Sequence, residues 1–103
     1  MTVRTGTRFN YMLIFLTGII SLAACAVPAP VQEMSNARQS LQAAKAARAE
    51  VYANQKYQQA SKVMQEATRQ LESGDYLQAR DLALEAKQLA TSARQQALNK
   101  YKK

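Results

Sequence analysis

Histidine and tryptophan are absent from this chain, cysteine occurs once, and the only prolines are Pro28 and Pro30. Each shortage removes chemistry. A single thiol cannot form an internal disulfide in any redox compartment. Without imidazole, neither a Cys/His nor a Ser/His nucleophile pair can be assembled. Zinc loses its usual nitrogen ligand, and one cysteine cannot make a thiolate cluster. Three glycines, none clustered, leave no phosphate-cradling loop. Acidic residues are few as well, 7 against 14 basic, so the chain is strongly cationic. The expectations are no metal, no cofactor and no enzymatic activity. The seven carboxylates (Glu33, Glu50, Glu66, Glu72, Asp75, Asp81 and Glu85) mostly alternate with Lys and Arg, as on solvated helix faces.

What is present begins with a targeting pattern. Arg4 and Arg8 form a short positive region, and Tyr11–Ile20 is apolar. Ser21 to Ala24 are small enough for a peptidase site, which completes the three-part plan of a secretory signal. The segment closes on Leu22-Ala23-Ala24-Cys25, which holds the lone cysteine. This tetrapeptide resembles the lipobox of bacterial lipoproteins at all four positions. The resemblance implies cleavage between Ala24 and Cys25, with diacylglycerol on the sulfur and an acyl chain on the new amino group. Acyl chains contribute about 0.8 kcal/mol per buried CH₂, so two or three anchor a protein stably where one does not. Ala26 follows the cysteine in place of Asp, which in enterobacteria-like sorting resembles an outer-membrane address. The competing reading is an uncleaved anchor, since Phe9 to Val27 is just long enough to cross a bilayer. Thr17, Gly18, Ser21 and the two prolines weaken that span. Loss of Arg4 and Arg8 with a signal would leave 12 basic residues against 7 acidic. Export also removes nucleic acid as the partner of that surplus. Membrane head groups and wall carboxylates take its place.

The expected organisation is therefore a signal over 1–24, a lipidated cysteine and extended tether over 25–33, and a helical domain over 34–103. Proline at alternate positions in Ala26–Gln32 favours extended backbone. From Ser35 onward there is no proline and one glycine, Gly74, while Ala, Gln, Lys, Arg, Glu and Leu dominate. Ser35 or Asn36 is the expected first cap. Apolar stripes at helical spacing run through Ala37, Leu41, Ala44 and Val51, with Ala46 or Ala47 bridging. A second stripe takes Tyr57, Ala60, Met64 with Val63, Ala67 and Leu71. A third takes Tyr76, Ala79, Leu82 with Ala83, Ala86, Leu89 with Ala90, Ala93 and Ala97. Ser73-Gly74-Asp75 is the clearest turn: Gly74 suits a left-handed helix end and Asp75 caps the next helix, with Gln78 three residues on. A weaker break falls at Ala53-Asn54, with Asn54 an acceptable cap, and a single bent helix over 35–73 is the competing reading. The fold class is all-α, a short antiparallel hairpin or a three-helix arrangement, with helices near 35–52, 54–73 and 76–100. A hairpin leaves alanine-rich faces uncovered, so a homo-oligomer or coiled-coil pairing is a further expectation.

Leu71-Glu-Ser-Gly-Asp-Tyr-Leu-Gln-Ala-Arg80, with Ala83-Leu-Glu-Ala86 and the alanines at 46, 60, 67 and 90, resembles the small alanine-rich envelope domains called domain of unknown function 4398. Gly74-Asp75-Tyr76 with Ala79-Arg80 and Glu85-Ala86 is the most specific part. The resemblance covers nearly all of the chain after Cys25 and implies a lipoprotein or periplasmic setting with no established activity. Members commonly have Ala-Pro where this chain has Ala53-Asn54, which favours a break there. The turn also resembles one tetratricopeptide helix pair, too little for a solenoid.

Two surface features could carry function. Tyr52, Tyr57 and Tyr76 either form a ligand-facing cluster or cover a thin alanine core with their rings. The tail Asn99-Lys100-Tyr101-Lys102-Lys103 is similar to that of the major outer-membrane lipoproteins, whose last lysine is joined to peptidoglycan. By that resemblance Lys103 would be the attaching amine. The plainer reading is lysine complementing a helix dipole, or non-covalent attraction to anionic wall or lipid. The expected partners are the membrane, through lipid on Cys25, with peptidoglycan or another envelope protein. The expected role is a structural or interaction module of the outer membrane. The alternative is a periplasmic carrier or accessory module holding a small ligand between its helices.

Overall fold

A computed structural model describes residues 28–102. Four helices account for most of them: α1 (Val31–Ala46), α2 (Ala49–Tyr52), α3 (Asn54–Glu72) and α4 (Tyr76–Lys102). The class is all-α, and there is no strand among the described residues. Two groups of buried side chains fix the topology. Met34 and Ala37 meet Met64, Ala67, Ala83 and Ala86 at one level. Ala44, Ala49 and Ala53 meet Ala93 and Ala97 at another, with Tyr52 and Tyr57 over them. Hence α1 and α2 run alongside α4 in the same direction, and α3 runs against both. The chain rises through α1 and α2, reverses at Ala53, descends through α3, reverses at Gly74 and rises again through α4.

The long final helix is the centre of this three-pass bundle. Its buried positions are Ala79, Ala83, Ala86, Ala90, Ala93 and Ala97, all at 0% exposure. Their spacing alternates between four and three residues, the pattern that keeps one seam facing a partner along a helix pair. Alanine at every seam position lets neighbouring backbones approach closely. Each side chain contributes little burial, so contact area has to come from length. Half-buried Leu41, Val63, Leu71 and Leu82 close the edges of the seam at the Gly74 end. Among the described residues, Met34 is the one large side chain that is fully enclosed.

Helix α1 begins at Val31, inside the run expected to be extended, and Ser35 and Asn36 lie within it and do not cap it. Pro30 occupies the capping position, with its carbonyl accepting from the Met34 N–H at 3.0 Å. Proline lacks an N–H, and the first turn of a helix does not need one, so Pro30 starts this helix where it would stop another. Glu33 in the first turn suits the dipole there.

The first apolar stripe also departs from its expected course. Arg48 adopts φ 62, the left-handed region, and separates α1 from α2. This shifts the phase, so Ala49 and Ala53 point inward while Val51 is 73% exposed. Ala46 is exposed too, and Ala47 packs against the core. Asn54 is not the cap of α3. It is the first residue of that helix, and its Nδ2 donates to the Glu50 carbonyl at 2.8 Å, closing the helix before it.

The Gly74 turn is built from backbone. With φ +87 at Gly74, the Asp75 N–H reaches the Gln70 carbonyl at 2.9 Å and the Gly74 N–H reaches Leu71 at 3.1 Å. This nested pair is the Schellman closure. Asp75 Oδ1 then accepts from the Gln78 N–H at 3.2 Å and caps α4. Because the Asp75 N–H is already spent on Gln70, only half of the reciprocal capping box forms.

Candidate functional site

The two ends of the bundle differ in charge, and the fold produces the difference. The Gly74 end collects the starts of α1 and α4 and the close of α3. Glu33, Glu66, Glu72, Asp75, Asp81 and Glu85 lie in that half, against Arg38, Lys62, Arg69, Arg80 and Lys87. Both ion pairs of the described residues are there: Arg80 Nε to Glu33 Oε1 at 3.4 Å, and Arg69 to Glu66 at 3.4 Å. The other half, around Ala53 and the end of α4, carries Lys45, Arg48, Lys56, Arg94, Lys100 and Lys102 against Glu50 alone. Six carboxylates that are spread through the sequence from position 33 to 85 are gathered at one end, which leaves the other almost purely cationic.

Three clefts open toward the cationic end. A cleft of about 410 Å³ between α3 and α4 is lined by Lys56, Ser92, Gln95, Gln96, Asn99 and Lys100. Lys56 Nζ donates to Ser92 Oγ at 2.8 Å and ties the two helices across it. A neighbouring cleft under the Ala53 reversal shares Lys56, Gln96 and Lys100 and adds Val51, Tyr52 and Asn54. On another side, Ala46, Ala47, Arg48, Leu98 and Tyr101 line a third. Every side chain of the first cleft can donate a hydrogen bond, and none is a carboxylate.

The tyrosines do not form one cluster. Tyr52 and Tyr57 cover the alanine core near Ala53, whereas Tyr76 opens α4 at the opposite end. Tyr52 instead meets Tyr101 edge to face, with ring centroids 6.4 Å apart and planes at 71°. Tyr101 is 71% exposed. In sequence Tyr101 is one member of a basic tail, and its separation from Tyr52 conceals the pairing. Gly74 and Asp75 form the turn at the acidic end, as described above.

Leu22, Ala23, Ala24 and Cys25, with the cleavage site between the last two, lie outside the described residues, and so does Lys103. No helix among the described residues is long and apolar enough to cross a membrane. No group of three or more His, Cys, Asp or Glu side chains converges among them.

No curated protein and no solved structure matches the chain. A family does: residues 32–103 match the one described as Domain of unknown function (DUF4398), from the start of α1 to the final lysine. The match spans well over half of the chain and includes both reversals and the whole alanine seam, and the chain belongs to the DUF4398 family.

Proposed function

We propose that this protein is a non-enzymatic outer-membrane lipoprotein whose helical bundle faces the periplasm and serves as a structural or interaction module of the envelope. The observation that carries the reading is Leu22-Ala23-Ala24-Cys25 at the close of an apolar segment, followed almost at once by a helical bundle. The link from Cys25 to Val31 spans at most about 20 Å when extended. Lipid on the sulfur would then hold the Gly74 end close to the head groups and turn the Ala53 end away from them. Along α4 the separation of the two ends is about 40 Å, from its 27 residues. A carrier enclosing a ligand between the helices needs interior room. Ala37, Ala44, Ala60, Ala67, Ala83, Ala86 and Ala90 pack at 0% exposure, which favours a solid module.

Growing cells fed radioactive palmitate test the reading. The wild-type protein takes up label and fractionates with the outer membrane, and Cys25→Ser abolishes both. A mature polypeptide whose mass shows a free thiol, or an unchanged labelled band in Cys25→Ser, would end it.

A further inference from the structure

We propose that the cleft between α3 and α4 at the Ala53 end docks a polymer bearing carboxylates beside amide and hydroxyl groups, the chemistry of a cell-wall peptide stem. Lys56 and Lys100 are its anion-binding groups. The inference deepens the envelope reading, which supplies the setting in which such a polymer is met.

Charge is the first ground. Six cations (Lys45, Arg48, Lys56, Arg94, Lys100 and Lys102) against one carboxylate surround this end, so its field favours an anionic partner at close range. At physiological ionic strength that field decays over about 8 Å, which makes it a contact device and not a long-range one. The cleft wall is the second ground. Ser92, Gln95, Gln96 and Asn99 stand between Lys56 and Lys100. Amides and a hydroxyl recognise groups that both donate and accept, whereas a lipid surface presents phosphate over acyl chains. The third is the fixed position of one cation. Lys56 Nζ is held at 2.8 Å by Ser92 Oγ on the neighbouring helix. One of its three N–H donors is engaged and two are left for a ligand. Lys100 lines the same cleft from α4, so two cations, one on each helix, face a single chain of anions. Finally, the cleft lies at the end opposite the Glu33–Arg80 pair, where the link to Cys25 enters, and it would face outward from a tethering membrane.

The test is co-sedimentation of the full chain, kept in detergent micelles, with purified insoluble peptidoglycan at low and high salt. The wild type pellets with the wall, less so in high salt. Lys56→Gln with Lys100→Gln weakens binding about tenfold, while Lys56→Arg with Lys100→Arg retains it. Arg38→Gln with Lys62→Gln, an equal loss of charge at the other half, leaves it unchanged. Circular dichroism of each variant checks that helicity is kept. Wild-type binding by the double glutamine variant would overturn the cleft assignment. A wild-type protein that ignores peptidoglycan but binds vesicles containing phosphatidylglycerol would overturn the choice of partner. Palmitate labelling of Cys25 is read separately, so a lipidated protein that fails to bind peptidoglycan sinks this inference and leaves the lipoprotein reading standing.

Discussion

Two residues have positive φ among those described, and they make opposite demands. Gly74, at φ +87, has nothing within 4 Å of where a Cβ would stand, so an alanine there meets no clash. Its penalty is purely conformational: left-handed backbone costs an L-residue about 1–2 kcal/mol, partly offset because alanine restricts the unfolded chain. Gly74→Ala should therefore lower stability by about 1 kcal/mol. Arg48 already bears that penalty at φ 62. Its N–H donates to Lys45 at 2.9 Å, and its carbonyl accepts from Val51 and Tyr52, each at 3.0 Å. The strained conformation is thus held by backbone bonds that glycine would keep. Arg48→Gly should raise stability by about 0.5–1 kcal/mol, the relief of strain less the flexibility of glycine. Thermal melts of the two variants beside the wild type decide it. Equal signs would mean that Arg48 is held by its side chain and not endured. The Gly74 turn was legible in sequence because glycine announces left-handed backbone. The Arg48 turn was not, because arginine gives no such signal and alanines on both sides accept either helix phase.

At the scale of the elements, the stripes of α3 and α4 were readable and that of α1 only in part, for the same physical reason. In α4 the alanines recur without a break from Ala79 to Ala97, so the heptad phase is fixed by many positions at once. Half-buried Leu82 and Leu89 flank that seam and do not centre it. In α1 and α2 the phase changes at Arg48, and a large side chain, Val51, drew the stripe away from Ala49 and Ala53, which occupy the core. Size misleads where the seam is built from the smallest side chain. The same fact sets the sensitivity of the fold. Ala86 has 0% exposure and meets Met34, Met64 and Ala67 across two other helices. Ala86→Leu forces extra volume between helices that alanine holds close and should cost about 2–3 kcal/mol, the upper part of the usual overpacking range. Leu84→Ala, on the outer face of the same helix at 41% exposure, should stay within about 0.5 kcal/mol of wild type. Helix propensity favours alanine at both sites, so chemical denaturation of this pair separates packing from propensity. A mild Ala86→Leu would mean that the seam has room and that the close three-helix arrangement is wrong.

The whole molecule carries a property that no single stretch of sequence displays. Reading along the chain, acid and base alternate from Glu33 to Glu85, and only the stretch after Glu85 is purely basic. The three passes bring the starts of α1 and α4 and the close of α3 to one end, with Glu33, Glu66, Glu72, Asp75, Asp81 and Glu85, while the close of α1, the start of α3 and the close of α4 bring Lys45, Lys56, Arg94 and Lys100 to the other. The candidate surface was illegible for this reason: it depends on which positions share a level, and that depends on reversals at Ala53 and Gly74. The proposed lipid anchor is the converse case, because Leu22-Ala23-Ala24-Cys25, which suggests it, is read from a tetrapeptide with no fold needed. The segregated charge has an energetic consequence. Crowding Lys45, Arg48, Lys56, Arg94, Lys100 and Lys102 around one carboxylate, Glu50, opposes folding, because the unfolded chain separates them. The favourable pairs are weaker counterweights: Arg69–Glu66 has its arginine 70% exposed and Arg80–Glu33 its arginine 58% exposed, and exposed pairs contribute about 0–1 kcal/mol each. Salt screens both, but it removes more repulsion than attraction, since the Debye length falls from about 30 Å at 0.01 M to about 8 Å at 0.15 M. Stability should therefore rise with salt, by about 1 kcal/mol over that interval, or about 4–8 °C in Tm for a domain of this size. A melt of the full chain in detergent at the two salt concentrations measures it. Replacing Lys45 and Lys102 by Gln should shrink the salt effect, whereas replacing Arg38 and Lys62 should not, because those two sit among carboxylates. A melting temperature that falls with salt would mean that the ion pairs at the acidic end outweigh the crowding, and the charged end would then have to be accounted for without stored repulsion.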